Sequence, residues 1–415
     1  MKANITIHRG SHQIGGSITE ISTERHRIII DFGSELSKNN QTPNDSEMIK
    51  LVTEKPCDGI FFTHYHGDHT GLMNQVPKDI PMYMGDVARR VMLNIKETLK
   101  QYDEASILKD TNRIKPLVKG IHIQVGDIKV TPFFVDHSAY DAYMFLIEAG
   151  GKRILHTGDF RTHGRLGKGL FSTFEHYICK DGRPVDVLIS EGTMMSRLTE
   201  KVMTETEMLK TATELLKENR HAFFICSSTN MDSLASFHQA AKANRIPMIA
   251  NRYIVKQCEL FTETAGSFSD VYKFDKLYPL GLERILPDMI SQEEHMKKHG
   301  FLFMVKESEY YQEMMERFRE CNPILIYSMW DGYLDEKREC FKPELSAMVK
   351  KWDTIYLHTS GHATAETIAK VIITVQPREA IIPIHTEMAK EFMNLPIGNF
   401  KDKIIQLKDG EVWTL

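Results

Sequence analysis

From the N-terminus to about residue 195 the chain is punctuated by short apolar or alternating runs. They cover 5–8, 17–21, 27–31, 59–63, 121–125, 128–134, 142–148, 152–156 and 185–190. Runs of four to eight residues bounded by Gly, Asn or Asp read as β-strands. The stretch 59–63 (GIFFT) is a buried strand that runs directly into histidines, and 85–101 reads as a helix.

After residue 195 the period changes. Residues 200–219 form an amphipathic helix with Met203, Met208, Ala212, Leu215 and Leu216 on one face. Strand and helix then alternate: 223–227, 232–243, 246–250, 253–264, 310–321 and 324–328, with 266–306 the least regular part. Such alternation predicts a parallel α/β domain. Near residue 350 the first pattern returns, with a strand at 354–357, a helix at 364–374, a strand at 380–384, a short helix at 387–393 and terminal strands. The chain therefore reads as one domain, 1–195 completed by 351–415, interrupted by a second at 196–350.

Composition narrows the picture. The 415 residues are 42% hydrophobic, enough to bury sizeable cores. The net charge of −4 gives no global field to attract nucleic acid, so a polyanionic substrate needs a local basic groove. The start lacks the apolar run of a signal peptide, and no stretch reaches the ~18 apolar residues of a membrane span. The six cysteines form no C-x-x-C pair. They predict small buried apolar residues rather than disulfides or zinc knuckles, and a reducing, cytoplasmic setting without membrane partners.

The chemistry concentrates in Thr63-His64-Tyr65-His66-Gly67-Asp68-His69. His64 and His66, two apart in extended chain, point the same way. Gly67 permits a tight turn that turns Asp68 and His69 toward a second point. Imidazole with carboxylate suits zinc, and also manganese or iron. This cluster cannot complete two sites alone. Further ligands are expected at later strand ends, where His137, Asp159 and His385 stand.

The order HxHxDH, a later His, a GDF with its Asp, and a distal His resembles the metallo-β-lactamase superfamily, and Ile30-Asp31-Phe32-Gly33 resembles its first, structural Asp motif. The resemblance implies an αββα sandwich with two divalent ions, zinc first and manganese as the alternative. One ion would take His64, His66 and His137. The other would take Asp68, His69 and His385, with Asp159 bridging. Ser190-Glu191, Ser360-Gly361-His362 and Pro383-Ile384-His385 resemble the ordered motifs of the β-CASP nucleases, a group that includes ribonuclease J and the cleavage-and-polyadenylation endonuclease. The insertion at 196–350 resembles their inserted α/β domain. Ala363-Thr364 departs from the Gly-Asn often found after the second of these motifs.

This resemblance implies hydrolysis of a phosphodiester, most directly in single-stranded RNA, by a water activated between two metals. DNA, or a small-molecule ester, thioester or phosphodiester, is the alternative substrate, and a homodimer is an open expectation. Asp68, His362 and Glu191 are the expected catalytic groups. His362 would contact the scissile phosphate or help the leaving oxygen, and Glu191 would orient it or a metal ligand; as a plain reading, His362 is a helix N-terminal residue. Ser227 and Ser228, between a strand and a helix, suit either a phosphate or ordinary helix capping. Ser360 and His362 are substrate candidates from the same motif. Tyr327 or Trp330 would stack on a base or pack in the core. Arg161 and His163 read as phosphate contacts or solvated loop residues.

Overall fold

In the computed structural model, residues 2–36, 44–285, 287 and 289–415 are described. The chain forms two compact units, Met1–Lys201 with Gly361–Leu415, and Val202–Ser360.

The first unit holds two sheets. One has seven strands in the order Val412–Thr414, Asn4–Arg9, Ile18–Ser22, Arg27–Ile30, Gly59–Phe61, Met82–Met84, Ile114–Pro116. It is antiparallel up to Arg27–Ile30 and parallel beyond. The other has six, in the order Ala380–Ile384, Val187–Glu191, Lys152–His156, Ala142–Ala149, Ile128–Val135, Ile123–Val125. The sheets meet face to face: Ile5, Ile7, Ile21, Ile28 and Ile30 of the first share one core with Val130, Phe145, Ile147, Ile154, Val187 and Ile382 of the second. Because side chains alternate along a strand, Leu155, Leu188 and Ile381 point the other way. There they pack against Ile368 and Ile372 of the helix Ala365–Val375. Each such fully buried side chain contributes about 1.5–3 kcal/mol. The helices Asp86–Thr98 and Tyr102–Lys109 form the crossover between the parallel strands Met82–Met84 and Ile114–Pro116. The result is the expected α/β sandwich.

Two of these strands, Met82–Met84 and Ile114–Pro116, and the helices Ser46–Thr53 and Tyr102–Lys109 carry no expectation from the sequence pattern. Each is three to eight residues long, too short for a period to register.

The second unit is a six-stranded, wholly parallel sheet in the order Leu277–Pro279, Met248–Ala250, Phe301–Met304, His221–Cys226, Ile324–Ser328, Asp353–Tyr356. Helices such as Glu205–Glu218, Met231–Ala243 and Arg252–Ala265 alternate with the strands. The first of these opens on a capping box between Thr204 and Glu207 and buries Met208, Ala212 and Leu216. Two differences from the sequence reading stand out. Phe301–Met304, an inner strand, lies in the stretch 266–306 that shows little regularity. The strand Asp353–Tyr356, which the pattern assigns to the closing segment, pairs in parallel with Ile324–Ser328 and belongs to this unit.

Candidate metal centre

The sandwich delivers its polar side chains at strand ends. Asp31 follows Arg27–Ile30, the histidine loop follows Gly59–Phe61, and His137 follows Ile128–Val135. Asp159 follows Lys152–His156, Glu191 ends Val187–Glu191, and His385 follows Ala380–Ile384. Asp31 and His385 both take left-handed backbone angles, φ 59° and 50°, unusual for residues with a Cβ. The turns that aim these side chains are thus held against a local preference.

His64 Nε2 lies 3.0 Å from His66 Nδ1, which lies 3.3 Å from His137 Nε2. Asp68 Oδ2 lies 3.1 Å from His385 Nε2 and 3.8 Å from His69 Nε2. Asp159 Oδ2 stands among them, 3.2 Å from His69 Nε2, 3.9 Å from His64 Nε2 and 4.0 Å from His137 Nε2. All seven residues expected as ligands are therefore brought to one place. Two triads, His64–His66–His137 and Asp68–His69–His385, each bring three donor atoms within 4.8 Å of one another and could hold a cation, as could His64–His69–Asp159.

The donor set fits a divalent metal on three grounds. Burial, reinforced by neighbouring imidazoles, pushes His64 and His137 well below the ordinary histidine range, and burial takes His66 down to about 4. These rings are neutral and carry lone pairs. Burial opposes ionisation of Asp68 and Asp159, yet surrounding histidines hold both far below the usual carboxylate range, so they are anionic. The buried Nε2 of His69 makes no hydrogen bond of good geometry.

The second ring nitrogens of His64, His69, His137 and His385 are tied down. Thr63 Oγ1 lies 3.0 Å from His64 Nδ1, and Gly361 O takes the Nδ1 of His137 at 2.6 Å. His69 Nδ1 meets Asp31 Oδ2 at 2.8 Å, while Asp31 also accepts the Thr63 N–H and hydroxyl. Thr193 Oγ1 sits 2.9 Å from His385 Nδ1. Such outer partners fix ring tautomer and direction. Thr193 carries no motif signal in the sequence. Gly33 is needed for close approach: a Cβ there would lie 1.7 Å from the Asp68 carbonyl oxygen.

Beside this cluster, Glu191 is fully buried and faces His362. Burial opposes the charge on His362, but Glu191 and Asp159 raise its proton affinity above the ordinary value. The ring keeps about a fifth of its surface exposed and lies 3.7 Å from Asp159 Oδ2.

The other candidates separate. Ser227, Ser228 and Tyr327 belong to the second unit, the cluster to the first; Ser360 is buried and directly precedes Gly361. The helix Met231–Ala243 is capped by Asn230, not by the serines. Ser228 Oγ instead meets Tyr253 Oη at 3.2 Å. Tyr327 is corrected: its ring is completely buried in the unit's core and its hydroxyl donates to the Trp330 carbonyl, so no face is left for a base. Arg161 is corrected as well. It is fully buried and paired with Asp136, neither solvated nor reaching outward. All six cysteines are free thiols, with Cys226 and Cys258 buried and the other four half-buried.

A two-sheet sandwich with a His/Asp cluster at its strand ends defines a metal-site class, and sequence comparison names it. Residues 26–225 match the family described as beta-lactamase superfamily domain. This part of the chain is similar to the metallo-β-lactamase superfamily, and the relatives' names accord with the β-CASP group that the chain's motifs resemble. Ribonuclease J of Helicobacter pylori (strain J99) is 24% identical over 406 residues, covering 92% of this chain and 56% of that protein. Ribonuclease J of Mycoplasma genitalium is 22% identical over 434 residues, 98% of this chain and 72% of that protein. An RNase J-like protein of Methanocaldococcus jannaschii is 29% identical over 213 residues, 49% of this chain and 45% of that one. The chain thus spans little more than half the length of the first of these relatives. A crystal structure of a protein of unknown function from Enterococcus faecalis V583 shares the fold, with a TM-score of 0.76 over 100% of both chains at 22% identity.

Proposed function

We propose that this protein is a metal-dependent phosphodiesterase whose substrate is single-stranded RNA. The observation that carries the reading is the convergence of His64 Nε2, His66 Nδ1 and His137 Nε2 beside Asp68, His69 and His385, with Asp159 Oδ2 between the two groups. The names of the relatives support the choice of RNA.

On this reading His64, His66 and His137 would hold one divalent ion and Asp68, His69 and His385 the other, with Asp159 available to both; zinc suits the donors best, and manganese is the alternative. Two such ions supply positive charge that favours ionisation of a water and offsets the charge growing on the phosphate oxygens. The chain's own residues do the rest. Asp31, Thr63 and Thr193 hold the imidazoles in direction. His362, its proton affinity raised by Glu191 beside it and its ring partly open to solvent, would hydrogen-bond a phosphate oxygen or give a proton to the leaving oxygen. Glu191 is the positioning residue for that ring. Ser360, Ser227 and Ser228 are proposed to meet the polymer's backbone. Among the described residues no helix is long and apolar enough to cross a membrane.

The test is incubation of metal-loaded protein with end-labelled single-stranded RNA, the equivalent DNA, and a small ester and thioester, beside Asp68→Ala. Cleavage of RNA that disappears in Asp68→Ala supports the reading. Turnover of the small esters with RNA untouched would replace it by a metabolite hydrolase on the same cluster.

A further inference from the structure

Asp136 immediately precedes His137, and Arg161 comes two residues after Asp159. The two charged side chains are buried against each other, Arg161 completely and Asp136 to 4% exposure. Arg161 Nε donates to Asp136 Oδ1 at 2.7 Å, and the Arg161 N–H donates to the Asp136 carbonyl at 2.7 Å. The two residues form an isolated antiparallel bridge outside any strand. The second carboxylate oxygen, Oδ2, takes the Leu166 N–H at 2.5 Å, so residues 161–166 wrap around Asp136.

Gly164 makes this wrapping sterically tight. A Cβ there would fall 2.2 Å from Asp136 Oδ1 and 2.6 Å from Arg161 Nε. The same loop reaches the helix that follows His362: Thr162 Oγ1 lies 3.0 Å from Thr367 Oγ1, one turn into Ala365–Val375. One short loop therefore joins the segment before His137, the segment after Asp159 and the helix beyond His362.

We infer that the Asp136–Arg161 pair is a clip that sets the separation of His137 from Asp159, and so tunes the affinity of the metal site they share. This rests on the metal-binding reading above and adds two positioning residues to it. The physical argument is directional. A solvent-exposed ion pair flexes and is screened, whereas a buried pair with a backbone bond beside it is held in one geometry. Two loops tied within two residues of their ligands transmit that geometry to the ligand atoms. Both side chains are withdrawn from solvent.

The experiment compares unaltered protein with Asp136→Asn/Arg161→Gln, which removes both charges together, and with Gly164→Ala, which keeps both and wedges the clip. Zinc affinity is measured by competition with a chromogenic chelator, visible absorption is recorded after cobalt loading, and melting temperature reports folding. The clip predicts one of two zinc sites weakened by about 10–100-fold in both variants, as for other outer-sphere changes, with an altered cobalt spectrum in folded protein. Wild-type affinity and an unchanged cobalt spectrum in both variants would reduce the pair to a stability element and overturn the inference. If the unaltered protein itself binds no ion, the metal reading falls, and this inference falls with it.

Discussion

Oε2 of Glu191 lies 3.2 Å from Nδ1 of His362, and the same carboxylate collects the backbone N–H groups of Phe160, Thr193 and Ala363. One buried acid thus ties the segment after Asp159, the turn that touches His385 and the residues that lead from His362 into the helix Ala365–Val375. Glu191→Gln keeps the shape and removes the charge. The expected outcome is a rate on labelled RNA lowered by about 10–100-fold with metal content near wild type. Single-turnover kinetics beside metal analysis measures both, and an unchanged rate would remove Glu191 from the mechanism.

Chelation is expected to destabilise the protein. Ions that bind the folded cluster and not the unfolded chain stabilise the fold by mass action, and stripping them removes that contribution. Reloading at a hundredfold excess over Kd contributes about 2.7 kcal/mol per site. Calorimetry of chelated and reloaded protein should show the melting temperature rising on reloading, and Asp159→Asn should recover less of that rise.

Acid stability has a separate, testable source. Burial disfavours the Glu20 carboxylate, but His8 at 2.8 Å and Arg27 at 2.7 Å bring it down to about 2 from an ordinary 4.5. A depressed acid stabilises the fold above its unfolded value and loses that contribution as pH falls from about 4.5 through about 2. The upper bound is roughly 3 kcal/mol. In urea unfolding over that window, Glu20→Gln should show a shallower loss of stability with falling pH than wild type.

Tyr327→Phe tests the reassignment of that residue to the core. It deletes the 2.9 Å bond to the Trp330 carbonyl and should cost about 0.5–1.5 kcal/mol of stability. RNA affinity should stay within about twofold, the ring being enclosed. A large loss of affinity in a folded variant would restore a substrate role.

The seven cluster residues were legible because ligand chemistry needs particular side chains at strand ends, and the strands before them are strongly apolar: GIF before His64, IKVTPFFV before His137, AIIPI before His385. Arg161 and Tyr327 were ambiguous for the opposite reason. A charged or aromatic residue after a strand looks alike in sequence whether it faces solvent or core, and only the tertiary partner decides it. For Arg161 that partner is Asp136, 25 residues away. Phe301–Met304 was hidden because a fully buried parallel strand shows no alternation and is only four residues long. Thr193 gave no signal, since a hydroxyl that orients an imidazole has no spacing rule.

The most direct measurement is cleavage of a fluorophore-labelled single-stranded RNA by protein that has been stripped of metal and then titrated with zinc or manganese, beside Asp159→Asn treated identically. The account predicts no cleavage when stripped, recovery that reaches its plateau near two ions per chain, and little recovery in the variant. Cleavage that survives stripping, or that Asp159→Asn performs as well as wild type, would contradict a metal-dependent nuclease built on this cluster.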